Sequence, residues 1–376
     1  MSNGNFVLSV RDEQQKLATF FLQRTLVSVY ARYVLDAILV DAQFGQSPAW
    51  FVALAGELEG LRGQARIWFD SVAPPLTALP QTYIDMSNAH AGQLPALTAA
   101  MKRLIANRGH HDDGEIQAIT TICNSLLATI RAQGTAVGNR SLALQGYGGS
   151  LNLAIKAMTD GAASINAAII EEKEAIHDTS QLLQALQSQL AADVRGLIGS
   201  AVVGGVGLAG GIVSIVLTVG GTLTGPGAVV GCIVAVVAAI AGIVATGLLA
   251  ANVVADQQGI LEKQAQLSTE GQQLVELNGL SATVKALLDA YQDPFLDLSP
   301  LTRTWSTLAD NLEAVRDLIV AERTDETGLA AILGDLQTLG SDLERLTGFA
   351  TTLQNAALAG DSAPTQVLTI AQAAAA

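Results

Sequence analysis

Hydrophobic residues recur every three or four positions along most of the chain, as they do on one face of an α-helix. Near the C-terminus they step by 4, 3, 4, 3 and 4 positions, through Leu301, Trp305, Leu308, Leu312, Val315 and Ile319. The same spacing continues through Leu329, Ile332, Leu336, Leu339, Leu343, Leu346 and Leu353. Seams of this kind form between packed helices. The sequence therefore predicts an all-α protein built as a helical bundle.

Proline, glycine and capping residues indicate where these helices end. A first helix is predicted from about residue 12 to 42, and a second from about Pro48 to residue 72, where Pro74 and Pro75 would stop it. A third is predicted over residues 94–106. The long helical pattern that follows would extend roughly 70 Å over residues 149–195 alone, at 1.5 Å per residue. The predicted bundle is therefore elongated.

Residues 196–255 depart from this pattern, because these 60 consecutive positions contain no Asp, Glu, Lys, Arg or His. As helices, 197–219 and 229–254 would measure roughly 34 and 39 Å, which exceeds the bilayer core of about 30 Å. The residues Gly225, Pro226 and Gly227 between them predict a chain reversal. The segment therefore predicts a membrane-inserting hairpin whose two ends emerge on the same side.

Each predicted span has large apolar residues and an ordered row of small ones. The residues expected to meet lipid or neighbouring protomers are Leu197, Ile198, Val202, Val203, Ile212, Ile215, Val216, Leu217, Val230, Ile233, Val236, Ile240, Ile243, Val244, Leu248 and Leu249. The small residues recur at steps of three and four and predict helix-packing seams, because small side chains let helices approach closely in lipid. They are Ser200, Gly204, Gly207, Gly211, Ser214 and Thr218 in the first span, and Gly231, Ala235, Ala238, Gly242 and Ala245 in the second.

The glycine content of the hairpin predicts a segment that changes state. Each glycine costs about 1 kcal/mol in a helix relative to alanine, so the first span should be weakly helical in water. Before insertion the hairpin is expected to pack on the bundle as short helices or as a small β-tongue. Two other interpretations stay open: a buried core hairpin of a soluble protein, and a constitutive membrane protein with two spans.

These patterns divide the chain into four parts. Residues 1–195 are predicted to form the first part of the helical tail bundle, 196–255 the hydrophobic head, 256–360 the second part of the bundle, and 361–376 a low-complexity tail.

Neither predicted membrane span has a charged face, and the small-residue row of the first span is only weakly polar. A water-filled pore would therefore need a second, amphipathic chain to line it.

Charge and cysteine content narrow the classes of function. The net charge of −14 disfavours nucleic acid as a partner, and no cluster of basic residues would attract anionic lipid. The two cysteines, Cys123 and Cys232, do not suggest a disulfide scaffold. The first residues lack a basic stretch followed by an apolar run, so we expect secretion by a route other than a classical signal peptide.

No pattern predicts an enzyme, a cofactor or a metal site. The one cluster of metal-ligand residue types is His110, His111, Asp112, Asp113 and Glu115. Adjacent loop positions rarely converge on one ion, so we interpret this stretch as a solvated loop that caps the next helix. The glycine-rich runs also lack the flanking residues that phosphate binding requires.

The order of helical bundle, uncharged hairpin and helical bundle resembles the ClyA-type α-pore-forming toxins, which include the tripartite Hbl and Nhe toxins and their Gram-negative counterparts. The residues that carry the resemblance are LIGSAVVGGVGLAGGIVSIVLTVGGTLTGPGAVVGCIVAVVAAIAGIVATGLLAA. The resemblance implies a tail of about five long helices and a head that carries the hairpin. It also implies a secreted protein, soluble at first, that oligomerises on a target cell membrane and lyses the cell.

Within that family, two wholly apolar spans look like the membrane-spanning component, often called B. The resemblance therefore implies one or two other toxin components as partners, together with the lipid membrane and further copies of the chain. A secretion-system translocator, or a helical scaffold anchored by two spans, remains an alternative, because translocators also combine coiled coil with an apolar hairpin.

Overall fold

The structure is a computed structural model that describes residues 8–36, 49–107, 113–165, 181, 212–219, 233–240, 284–285, 287–321 and 326–362. Its helices are α1 Val10–Asp36, α2 Ala49–Ile67, α3 Ala73–Thr77, α4 Leu79–Ala106, α5 Asp113–Ile165, α6 Ser299–Val320 and α7 Glu326–Ser362. A π-helical turn, Trp68–Val72, joins α2 to α3, and a 3-10 turn, Pro294–Leu296, precedes α6. Residues 284–285 and 287–292 are also helical. Two strands, β1 Ile212–Val219 and β2 Ile233–Ile240, complete the described elements.

The prediction of an all-α bundle is confirmed, with the two strands as its local exception. Among the described helices, α1, α4, α5, α6 and α7 are the longest, with 27, 28, 53, 22 and 37 residues. Every residue of the two predicted C-terminal seams is buried, from Leu301 to Ile319 in α6 and from Leu329 to Leu353 in α7. Asp297 stabilises the start of α6, because its Oδ1 accepts a hydrogen bond of 2.8 Å from the backbone N–H of Ser299.

Pro74 and Pro75 lie in helical backbone that continues from α2 through the π-turn into α3 without a break, which corrects the prediction that they stop the helix near residue 72. Pro74 and Pro75 lie in the first turn of α3, and the third helix begins at Leu79, well before residue 94. A proline lacks the N–H that an α-helical hydrogen bond needs, and the α-helical pattern is interrupted by the π-turn directly before these two residues. The preceding π-turn is closed by the N–H of Ala73, which bonds to the carbonyl of Trp68. The positions of the prolines alone could not show whether the helix stops or continues through a π-turn.

The chain divides into two compact units, each built from separate stretches. Unit 1 comprises Met1–Phe20, Pro75–Ala143 and Asp297–Asn355, and unit 2 comprises Phe21–Pro74, Leu144–Leu296 and Ala356–Ala376. The predicted borders of the apolar head, at 195 and 255, lie outside the described residues. Within the part of the chain that the structure describes, no helix has the length and apolarity that crossing a bilayer requires.

Each unit has an aromatic core. In unit 1 the rings of Tyr83 and Trp305 pack with centroids 5.0 Å apart. In unit 2 the ring of Tyr147 lies 5.6 Å from Trp68 and 5.5 Å from Tyr291. Tyr291 approaches α5 so closely that a Cβ added at Gly148 would lie 2.6 Å from its ring. Glycine is therefore required at that point of α5 by close packing.

Candidate membrane-inserting hairpin

The two strands pair with each other inside the uncharged segment. β1 and β2 are antiparallel, with Ile212 opposite Ile240 and Val219 opposite Ile233. Between these ends, Val216 pairs with Val237, and the register shifts between Val213 and Val216. Of the two forms predicted for the hairpin before insertion, the described residues take the β form.

The composition of these stretches explains why strands form. Six of the eight residues in β1 and five of the eight in β2 are β-branched, and such residues favour extended backbone over helix. The glycine-rich stretches are less suited to either regular structure in water. The same residues can therefore pair as strands in water and still be apolar enough for a membrane.

The structure brings part of the predicted site into this strand pair. Of the predicted lipid-contacting residues, the strands contain Ile212, Ile215, Val216, Leu217, Ile233, Val236 and Ile240. Of the small-residue seams, they contain Ser214, Thr218, Ala235 and Ala238. The remaining predicted residues, including the turn at Gly225, Pro226 and Gly227, lie outside the described residues. The site as a whole therefore stays a prediction.

Unit 1 contains a buried polar cluster that the sequence pattern did not predict. The carboxylate of Glu13 is only 4% exposed and accepts hydrogen bonds of 2.7 Å from both the Tyr83 hydroxyl and the Thr304 hydroxyl. The Nζ atom of Lys16 lies 2.5 Å from Oε1 of Glu13, so the two side chains form an ion pair. Burial, and then the neighbouring Glu13 charge, raise the pKa of Tyr83 well above its usual value. These contacts join α1, α4 and α6, and no local spacing could have paired residues this far apart in sequence.

His90 is a second buried polar group of unit 1. It donates a hydrogen bond to the backbone of Leu336, and its Nε2 is buried with no hydrogen-bond partner among the described residues. α7 lies close to the imidazole ring of His90, since a Cβ added at Gly340 of α7 would be 3.1 Å from the Cε1 atom of that ring. Burial lowers the pKa of His90, and the bond to Leu336 offsets this only in part.

We expect His90 to make unit 1 less stable as the pH falls below about 6.5, the pKa of an exposed histidine. Below that pH the unfolded chain binds a proton that the native state still excludes, so the free energy of unfolding falls with pH. His90→Asn keeps a donor for Leu336 and removes the titration. Urea midpoints at pH 7.5 and 5.0 should therefore differ less in the variant than in the wild type. Equal differences would show that His90 does not titrate on unfolding.

The other residues considered for metal binding or reactivity have structural roles where the structure describes them. Glu115 lies in the first turn of α5 and accepts a hydrogen bond of 3.0 Å from Arg103, while 108–112 lie outside the described residues. No three metal-ligand side chains cluster within the part of the chain that is described. Burial raises the pKa of Cys123 to about 11, so this thiol is not poised for reaction.

The sequence matches no protein-family model and no curated protein. Solved structures do match, over nearly the whole chain. Soluble SmhA, of the tripartite α-pore-forming toxin Smh from Serratia marcescens, aligns with a TM-score of 0.72 and 15% identity, covering 95% of this chain and 97% of SmhA. The HblL1 toxin component of Bacillus cereus aligns with a TM-score of 0.68 and 16% identity, covering 93% and 98%.

Soluble AhlB, of the tripartite α-pore-forming toxin AHL from Aeromonas hydrophila, aligns with a TM-score of 0.66 and 13% identity, covering 92% of this chain and 93% of AhlB. The chain has the fold of α-pore-forming toxin components. The resemblance drawn from the order of bundle, hairpin and bundle is thus confirmed at the level of the fold. The identities are low, so the shared feature is the architecture rather than a set of individual residues.

Proposed function

We propose that this chain is a secreted component of a multi-protein α-pore-forming toxin, soluble at first and then inserted into a target cell membrane. One observation carries the proposal: an uncharged segment of 60 residues, with a strand pair inside it, occurs in a chain that has the fold of soluble toxin components. A long apolar run with no charge is costly to keep in water.

The driving force for insertion would be hydrophobic. Each apolar CH₂ that moves from water into lipid contributes about 0.8 kcal/mol, and the hairpin carries many of them. Because lipid offers no partner for backbone N–H and C=O groups, an isolated strand pair with open edges cannot span the bilayer core. We therefore propose that β1 and β2 separate and that the segment becomes two helices on insertion.

The proposal includes partner components, because the two spans lack a strongly polar face. A conducting pore lined by Ser, Thr and Gly alone would be weakly polar, so an amphipathic helix from another chain would complete the lining. The purified chain alone should bind liposomes and form few stable conducting pores. The products of neighbouring genes, added together with it, should then give dye release and red-cell lysis.

The matched control is a variant that lacks residues 197–254. It should remain a soluble helical bundle and bind no liposomes, measured by flotation and circular dichroism. Liposome insertion by this deletion variant would contradict the central claim. Stable ion conduction by the wild-type chain alone would instead contradict the need for partners.

A further inference from the structure

The helical stretch 49–77 contains the π-turn at residues 68–72, which Pro74 and Pro75 follow closely. A proline has no N–H, so the carbonyl group four residues before each proline lacks the donor that an α-helix would supply. In an α-helix each proline ring would also collide with that carbonyl, and the wider π-turn avoids the collision. The two prolines thus explain why the α-helical pattern is interrupted here.

The two carbonyl groups that lack a helical donor belong to exposed residues. They are those of Asp70 and Ser71, and both residues are exposed, as are the two prolines. The opposite side of the π-turn is buried through Trp68 and Val72. Water therefore reaches the side on which the backbone hydrogen bonds are missing. Because sharp bends in helices occur at prolines and at π-turns, this is the point at which the helix bends most easily.

The buried side of the π-turn is joined to α1 by a closed cycle of hydrogen bonds. Nε1 of Trp68, the first residue of the π-turn, donates to Oγ of Ser28 at 2.9 Å. The Ser28 hydroxyl donates to the carbonyl of Arg24 at 3.1 Å, and Nη2 of Arg24 donates to the carbonyl of Ala73 at 3.3 Å. The N–H of Ala73 bonds to the carbonyl of Trp68 and completes the cycle. We call Arg24 and Ser28 the π-turn lock, because they hold both ends of the π-turn.

The burial of Arg24 indicates that the lock does more than fill space. Its side chain belongs to a residue that is only 1% exposed, so the guanidinium lies inside the protein. Removal of a charge from water is unfavourable, and an apolar residue of similar volume is often at least as stable in such a position. Packing alone would therefore suit methionine at position 24. The guanidinium adds a donor for the Ala73 carbonyl, and this bond has one geometry.

The other contacts of α2 are easier to change than the lock. The hydroxyls of Tyr147 and Ser150 on α5 donate to Gln64 at an edge of the helix that is only partly buried, where water can replace them. Apolar contacts have no preferred direction and re-form after a small shift. The described buried residues of α2 are all apolar: Leu54, Leu58, Leu61 and Ala65.

We propose that the π-turn is a hinge of α2 and that Arg24 and Ser28 lock it in the soluble form. When the lock opens, α2 bends at residues 68–72 and leaves its position on α1, with the change in backbone angles confined to these few residues. That this bend accompanies membrane insertion rests on the proposed function. The lock itself does not, because it is a property of the soluble chain.

Distances between spin labels measure the bend. Val52→Cys with Leu153→Cys, in a Cys232→Ser background, places labels at exposed positions of α2 and α5, while Cys123 is buried. Residue 52 lies about 24 Å from the start of the π-turn, so a bend of about 20° moves it by roughly 8 Å. Double electron–electron resonance should show one distance in solution and a different one on phosphatidylcholine liposomes with the partner components. An unchanged distance on the liposomes would overturn the hinge.

The control pair for this measurement is Val52→Cys with Ile67→Cys. Both labels lie on α2, on the same side of the hinge, and should stay about 22 Å apart in solution and on liposomes. A changed distance in this pair would show that α2 itself unfolds, which would also contradict a bend at the π-turn.

The lock is tested in solution, without any membrane. Arg24→Met removes the donor to Ala73, so the labels at 52 and 153 should show a second distance, at least tenfold more populated than in the wild type. The matched control is Gln23→Met on the same helix, which removes a buried bond of 2.6 Å to the Ala290 carbonyl and does not touch the π-turn. The control should keep one distance. A second distance of equal population in the control would show general loosening and overturn the lock.

A second variant, Ser28→Ala, opens the other half of the lock with a smaller change of volume. It should produce the same second distance as Arg24→Met, and it decides the question if Arg24→Met does not fold. Circular dichroism verifies that each variant keeps its helix content. A single distance in folded Ser28→Ala and in folded Arg24→Met would contradict the lock.

Restoring the missing donors should stiffen the hinge. Pro74→Ala with Pro75→Ala supplies two N–H groups, and both prolines are exposed, so no cavity forms. Dye release with the partner components should become at least tenfold slower, with liposome binding retained. The matched control is Pro95→Ala, an exposed proline inside α4, which should keep the wild-type rate within about twofold. Equal rates in the two variants would contradict a role of the hinge in permeabilisation.

The outcomes separate the hinge from the proposed function. Liposome binding with an unchanged distance between residues 52 and 153 would overturn the hinge and leave the toxin proposal intact. Failure of the wild-type chain to bind liposomes would contradict the toxin proposal, while the distances in solution still decide the lock.

Discussion

A disulfide between Val216→Cys and Val237→Cys is expected to abolish membrane permeabilisation until it is reduced. The two residues are partners across β1 and β2, so a disulfide suits the strand pair. In the proposed helical hairpin, Val216 lies about 200° around the helix from Ser214 of the small-residue seam. Residue 216 would therefore face away from the second helix. The Cα atoms of residues 216 and 237 would then be more than about 7 Å apart, which is too far for a disulfide.

The measurement is dye release from liposomes with the partner components present, before and after treatment with a reductant. A Cys232→Ser background prevents exchange with the native thiol. The oxidised protein should be at least 100-fold less active, and reduction should restore activity. The single variant Val216→Cys, under the same oxidising conditions, should stay active. Full activity of the cross-linked protein would show that the strands need not separate.

Introduction of one charge into the hairpin is expected to reduce permeabilisation about 100-fold. Ile240 lies near the middle of the predicted second span, where an aspartate costs about 2.5 to 3.5 kcal/mol in a membrane. Because about 1.4 kcal/mol corresponds to a factor of ten, Ile240→Asp should weaken insertion by roughly two orders of magnitude. Liposome flotation measures the insertion, and circular dichroism verifies that the soluble bundle is retained.

The control for this substitution is Val320→Asp, an aspartate at an exposed apolar position of α6. It adds the same negative charge to the chain outside the hairpin, so membrane binding should stay near the wild-type level. If both variants lose binding equally, the effect comes from the overall charge. If Ile240→Asp binds fully, residue 240 does not reach the bilayer core.

Local pattern was sufficient for much of the helical architecture. The seams from Leu301 to Ile319 and from Leu329 to Leu353 are buried as their spacing predicted. Helical periodicity follows from a fixed rotation per residue, so a short stretch carries the information. Helix ends were less predictable, because helical backbone continues past residue 72 to Pro74 and Pro75, where a π-turn replaces the expected stop.

The candidate site was predictable as a segment, because 60 uncharged residues are visible without any structure. The choice between its two predicted forms, short helices and a β-tongue, was not predictable, since apolar β-branched residues fit both a strand and a membrane helix. The buried polar cluster around Glu13 could not be predicted from the sequence either. Its partners Tyr83 and Thr304 lie on other helices, and no periodicity links them to residue 13.

The amino-acid sequence by itself determined the bundle of long helices and the uncharged segment, because these depend on composition and local spacing. Tertiary structure decided which strands pair, which polar groups are buried together and which glycines stay open. Gly148 and Gly149 are neighbours in the chain, yet one packs on Tyr291 and the other has open space around it. The difference arises from residues far away in sequence, which only folding brings together.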